Sequence, residues 1–254
     1  MTTLSEITKR VARELDTVLT SVATAGTDTT ITDTERLLQP SQYWEHGTVW
    51  INSGTHVGKF AVVEDFGEAE LTFSSFGTSV DTCRYTVSRS IYPLHILIQS
   101  VNNAVDEARV TEIDSTLVGD GTTLEFTLPV GIADVFDIEI EESTTRRFYS
   151  SHWVEKGGAI RFDYGYAPQD GETIYLHYQK YHDELVDYDD EIHEDINLEW
   201  LKWKACEHAL FYGAKMYQDA KEYRIEELMN KVIERQSGLI PARVIGKLRT
   251  AGGD

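Results

Sequence analysis

Apolar residues near the start of the chain recur at three- and four-residue steps. Leu4, Ile7, Val11, Leu15 and Val18 fall on one helical face, which predicts an amphipathic helix over residues 4–19 with Thr3 or Ser5 as its cap. The small, turn-prone residues from Ser21 onward cannot sustain a packed helix, so a loop is expected there. Short β runs follow at 48–51, 59–63, 70–73 and 85–87, separated by glycine-bearing turns. After Pro93 the period changes again: Leu94, Leu97, Ile98, Val101, Ala104, Val105 and Ala108 predict a helix within 91–108. Alternation then returns at 122–128, 134–140, 148–154, 159–162 and 173–178, with turn chemistry at Gly119-Asp-Gly, Lys156-Gly-Gly and Pro168-Gln-Asp-Gly. The final quarter predicts helices over 196–217 and 222–235, and Gly238 and Pro241 end the pattern. The first of these carries Trp200, Trp203, Ala205, Leu210, Phe211 and Ala214 around much of its circumference, as a helix buried on more than one side would.

These elements predict an α+β protein. Helices at 1–20, 90–109 and 190–235 would form a bundle, with antiparallel β modules inserted as hairpins at 28–88 and as a small β-sandwich or barrel at 115–182. Residues 236–254 are left as a tail. A chain of 254 residues with 41% hydrophobic content can bury a core as one large domain or two smaller packed units. No apolar run approaches the length of a membrane span, and the start lacks a basic segment followed by an apolar one, so a cytosolic, membrane-free protein without an export signal is expected.

Charge narrows the functional classes. A net charge of −20 argues against wrapping nucleic acid, whose affinity comes from Lys and Arg releasing counterions. Such acidity fits a high-salt cytoplasm, where screening removes the self-repulsion. The two cysteines, Cys83 and Cys206, belong to no CxxC pattern and read as small buried hydrophobes. No GxSxG, HExxH, P-loop or GxGxxG motif occurs. An enzyme is therefore the class with least support, and no catalytic residue or cofactor is expected.

Two segments carry unusual charge. Residues 183–199 hold nine acidic side chains and no Lys or Arg, without the Asp-x-Asp-x-Asp-Gly order of an EF-hand loop. They read as a charged helix entrance, since acidic groups suit the positive end of a helix dipole. A sharper alternative makes Asp187, Asp189, Asp190, Glu191, Glu194 and Asp195 the acidic lining of a channel that repels passing DNA. His177, His182 and His193 beside this loop show no ligand register and read as solvated surface rather than a metal site. The tail has the opposite charge: Arg243, Lys247 and Arg249 are interleaved with Leu239, Ile240, Pro241, Val244, Ile245 and Leu248. Basic and aliphatic residues together suit a peptide that anchors in another subunit's groove and becomes ordered there. Dense aromatics around Phe148-Tyr-Ser-Ser-His-Trp, Phe162-Asp-Tyr-Gly-Tyr and Tyr175-Leu-His-Tyr are expected to fill the β core.

The order of parts resembles the head-to-tail connector (adaptor) proteins of tailed phages and tailed archaeal viruses. The likeness is one of layout over most of the chain. It rests on the N-terminal helix, the stretch Trp50-Ile-Asn-Ser-Gly-Thr-His-Val-Gly-Lys-Phe-Ala-Val-Val-Glu-Asp-Phe, the helix with Leu97-Ile-Gln-Ser-Val-Asn-Asn-Ala-Val, a β domain, and a helical pair with a tail. That resemblance implies a homo-oligomeric ring of about twelve copies beneath the portal protein, contacting tail or neck proteins, with DNA passing through unbound. A tail-associated protein binding a receptor or glycan is the alternative, and it calls for exposed aromatics around one end of the sandwich. A tail-terminator ring subunit is a further structural alternative.

Overall fold

The computed structural model describes residues 2–143, 146–216 and 222–241, and the chain divides into two compact units. One comprises residues up to Ala108 together with Asp183–Pro241; the other is Arg109–His182, inserted between them. Among the described residues the fold is mixed α+β, with four helices and antiparallel sheets.

In the first unit, α1 spans Leu4–Leu15, followed by β1 (Val18–Val22), β2 (Ala25–Gly26), β3 (Thr30–Thr32), β4 (Thr48–Ile51), β5 (Phe60–Gly67), β6 (Glu70–Phe73), β7 (Arg84–Ser88) and α2 (Leu94–Val105). Helix α1 buries Leu4, Ile7, Val11 and Leu15, and the Thr3 hydroxyl accepts from the Glu6 N–H at 3.4 Å. It stops four residues earlier than its spacing suggests. Asp16 is extended, its side chain accepts from the Thr17 N–H at 2.6 Å, and Val18 opens a strand instead of a fifth helical turn. The β-branched residues Val18, Thr20 and Val22 favour the pleated conformation, and pairing with β7 supplies the strand's backbone partners.

The seven strands form one sheet in the order β1-β7-β4-β5-β6-β3-β2. Strand β5 joins its two halves, because residues 60–62 pair with β4 and residues 63–67 with β6. A bulge between Val63 and Asp65 shifts the alternation by one, so Ala61, Val63 and Phe66 all reach the same core. That core also holds Trp44, Phe73, Tyr85 and Val87 from both halves, so the sheet curves around it. The opposite face of β4 is buried as well: Trp50 is fully enclosed, and its indole N–H reaches the Thr8 hydroxyl of α1 at 3.3 Å.

Helix α2 begins directly after Pro93, whose carbonyl accepts from the Ile96 and Leu97 N–H groups. The unit is completed by α3 (Leu198–Met216) and α4 (Glu222–Gln236). Helix α3 touches α1, α2 and α4 and buries Trp200, Leu201, Trp203, Cys206, Ala209 and Leu210 on several sides, as its lack of a polar face predicts.

The second unit contains β8 (Arg109–Val118), β9 (Glu125–Thr127), β10 (Val135–Ser143), β11 (Arg146–Tyr149), β12 (Trp153–Lys156), β13 (Ala159–Phe162) and β14 (Thr173–Tyr181). They form a four-stranded sheet, β11-β10-β14-β8, and a three-stranded one, β12-β13-β9. Ile138, Ile140, Ile174 and Leu176 of the larger sheet share a core with Ile160 and Phe162 of the smaller. Two expectations are corrected here. The run 148–154 is two strands in different sheets, separated at Ser150-Ser151-His152, where the Ser150 N–H is taken by the Ile138 carbonyl at 2.9 Å. The aromatics do not all fill the core either. Phe162 and Tyr178 are buried, but Phe148, Tyr149, Tyr164 and Tyr166 are exposed, because β11 lies at the edge of its sheet and residues 163–166 form a turn.

Candidate assembly surface

The acidic segment is built into the start of α1. The carbonyls of Asp190 and Tyr188 accept from the Leu4 and Ser5 N–H groups at 2.9 and 3.1 Å, and the Ile192 N–H donates to the Thr2 carbonyl at 2.9 Å. The loop backbone thus satisfies two of the donors that the first helical turn leaves open. Within the loop, one Asp190 carboxylate oxygen accepts from the Val186 and Asp187 N–H groups at 2.6 and 2.8 Å. Ile192 and Ile196 anchor the segment in the interior. The six candidate carboxylates therefore separate by role. Asp190 and Asp195 are half-buried, with Asp190 fixing the loop, whereas Asp187, Asp189, Glu191 and Glu194 are exposed.

The tail begins as an ordered continuation of α4. The Ser237 N–H donates to the Ile233 carbonyl and the Leu239 N–H to that of Gln236, with Gly238 at φ +86°, the left-handed conformation that ends helices. The Pro241 carbonyl then accepts from the Asn197 N–H at 3.0 Å, fixing the end of this stretch beside the start of α3. Leu239 lines a groove of about 520 Å³ with Glu14, Glu199, Trp203, Lys231 and Arg235, while Ile240 is exposed. Arg243, Val244, Ile245, Lys247, Leu248 and Arg249 lie outside the described residues.

Charges on three helices converge at this groove. Glu14 of α1 lies 2.8 Å from Lys231 of α4 and 3.5 Å from Lys202 of α3, and Lys202 also pairs with Glu199 at 2.8 Å. Partial burial pushes the Glu14 carboxyl up, but the Lys231 hydrogen bond and the two ammonium charges outweigh it, so its pKa lies below the ordinary value. Both ammonium groups lie over the Trp203 ring, at 4.4 and 5.3 Å from its centre. Burial raises the Cys206 thiol far above its ordinary pKa and pushes that of Cys83 up to about 11. At neutral pH both remain thiols and behave as apolar filling.

A second groove, of about 720 Å³, runs along the outer side of α2, where His95, Gln99, Asn103 and Asp106 face Glu184 and Val186. Asn102 closes its floor by gripping Leu185 twice, donating to its carbonyl and accepting from its N–H, each at 2.9 Å. The helical pattern shows Asn102 as an ordinary polar position, and only the fold reveals that it holds the acidic segment to α2. Among the described residues no group of three or more His, Cys, Asp or Glu side chains is placed to hold a metal ion. His177 lies on β14 beside Glu139 at 3.6 Å, whereas His193 lies within the acidic loop, 3.8 Å from Asp195. No helix among the described residues is long and apolar enough to cross a membrane. No protein-family model matches the chain, and no curated protein matches it.

Proposed function

We propose that this chain is a non-enzymatic structural subunit, the head-to-tail adaptor of a tailed virus, assembling as a ring of about twelve copies between portal and tail. In this reading the helices of the first unit form the bundle of each protomer, and the curved sheet and the sandwich of the second unit are its insertions. Assembly takes place in the host cytoplasm, and the finished protein sits in the neck of the virion. The exposed carboxylates Asp187, Asp189, Glu191 and Glu194 face the channel and let DNA pass by repelling its phosphates.

What supports the reading most directly is the way the chain leaves the first unit. It is hydrogen-bonded through Pro241, with Ile240 already exposed, and the residues that follow include the basic Arg243, Lys247 and Arg249 and the aliphatic Val244, Ile245 and Leu248. Such a segment is suited to insertion into a neighbouring groove, and many weak insertions become strong around a ring. Leu239 lies in the groove at Glu14 and Trp203, so the origin of the tail is placed beside α1 and α3.

The test is light scattering of the full-length protein and a form ending at Pro241, each alone and mixed with purified cognate portal. Ending there spares the Gln236–Glu207 hydrogen bond and the Pro241–Asn197 anchor, both of which a cut at residue 236 would remove. A ring-sized complex that forms on the portal and is lost with residues 242–254 is expected. A full-length protein that stays monomeric with the portal refutes the adaptor role.

A further inference from the structure

The most exposed aromatic group of the second unit is not scattered. It is assembled on two loops, the Asp163–Tyr166 turn after β13 and the Ser150–His152 connection before β12. The turn is closed by the Tyr166 N–H donating to the Asp163 carbonyl at 3.0 Å, and Gly165 has φ +88°, the positive value a type II turn requires at that position. Tyr164 is carried at the tip with 94% of its surface open to solvent. Tyr166 stacks on the His152 imidazole, with centres 3.6 Å apart and planes 15° from parallel. The two loops are tied together by the Asp163 N–H donating to the His152 carbonyl at 2.9 Å and by the approach of the Asp163 carboxylate to the imidazole at 3.5 Å. Trp153 fixes the second loop from below, its indole N–H donating to the Ser150 carbonyl at 2.8 Å.

We propose that this tip, Tyr164 with Tyr166, His152 and Asp163, is a carbohydrate-binding site for neutral hexopyranoside chains. Rigid aromatic rings on a backbone already held in place offer contact area at little conformational cost, and Ser, Gly and Asp around them supply adaptable hydrogen bonds. The tyrosine faces suit the C–H face of a pyranose ring, while the Asp163 carboxylate, 62% exposed, accepts from vicinal hydroxyls. Other partners fit less well. A chain of net charge −20 with a carboxylate at the tip repels nucleic acid and acidic polysaccharides. A single turn falls short of the roughly 800 Å² that each partner contributes to a stable protein interface. The site goes beyond the assembly role and does not depend on it.

The experiment is saturation-transfer NMR on the full-length protein with soluble neutral oligosaccharides of glucose, galactose, mannose and N-acetylglucosamine. At least one is expected to bind, about tenfold more weakly to Tyr164→Ala, since one stacking face is lost. Tyr181→Ala, which removes another exposed tyrosine of the same unit, is expected to bind as the parent does. Absence of binding by every sugar in the panel overturns the proposal, as does binding unchanged in Tyr164→Ala. Loss of a purified tail protein's binding in Tyr164→Ala, with no sugar bound, overturns it in favour of a protein contact. None of these measurements needs the ring to form, so their failure leaves the adaptor reading untouched.

Discussion

Replacing Tyr85 by Phe removes one oxygen from the centre of the first unit. Tyr85 is fully buried on β7, and its hydroxyl donates to Asp33 at 2.8 Å. Asp33 is 1% exposed, and its other carboxylate oxygen accepts from the Glu35 and Arg36 N–H groups at 3.1 and 3.0 Å. Burial pushes the Asp33 carboxyl up, but hydrogen bonds from Ser21, Tyr85 and the two backbone N–H groups outweigh it, so its folded pKa lies below the ordinary 3.8. Burial and the Asp33 bond together raise Tyr85 well above the usual phenol range, so it remains a donor at any working pH.

A hydrogen bond to a charged group contributes about 1.5–3 kcal/mol. The ring of Tyr85→Phe still fills its place, and Asp33 keeps its other donors, so a loss of about 2 kcal/mol is expected at pH 7. Because the folded pKa of Asp33 is depressed, the stabilisation is present above the unfolded pKa and is lost as pH falls through the folded one. The gap between parent and variant should therefore narrow toward pH 3 and below. Urea denaturation at pH 7 and at pH 3 measures both values. A variant within 0.5 kcal/mol of the parent at pH 7, or a gap that stays constant on acidification, would refute the reasoning.

Three further outcomes follow from the same physical chemistry. Thr48→Val should stabilise the protein by about 1 kcal/mol in urea titrations, because the buried Thr48 hydroxyl has no hydrogen-bond partner among the described residues and the methyl group fills its space. Gly47→Ala should destabilise it by more than about 3 kcal/mol, or prevent soluble expression, since the added Cβ would lie 2.0 Å from the Ser88 carbonyl oxygen, a backbone atom that cannot swing aside. Glu14→Gln should lower the thermal midpoint at pH 7, with the difference shrinking as pH falls through the depressed folded pKa of Glu14 and as salt screens the two lysines.

Much of the secondary structure was legible because burial imposes periodicity. The face of α1, the apolar register of α2 and the all-round burial of α3 can be read from residue spacing. What escaped was set by long-range pairing. The segment after Asp16 keeps helical spacing through Val18, but a strand partner 70 positions away at Ser88 decides its fate. Strand β8 went unread because its own alternation is interrupted by an extra residue between Asp114 and Leu117, opposite Ile174 and Leu176 of β14. Of the candidate residues, the acidic segment was recognisable by charge, but not which carboxylates fix the loop and which face solvent. The Tyr164 tip was visible as an aromatic cluster, yet composition alone cannot separate a core strand from a turn.

Arg109 and Tyr181, the first and last paired residues of β8 and β14, lie opposite each other in the ladder, so the second unit is entered and left along one two-stranded stem. During synthesis this insert can complete its own sheets while α3, the helix that closes the first unit, has yet to emerge. The early-made helices α1 and α2 must wait, the sides they turn to α3 uncovered, until the last quarter of the chain arrives. The same stem makes the insert exchangeable. A tight turn, or a different β module with adjacent ends, could replace residues 109–182 without breaking a strand of the first unit, so the surface of the insert could diversify while the framework stays fixed.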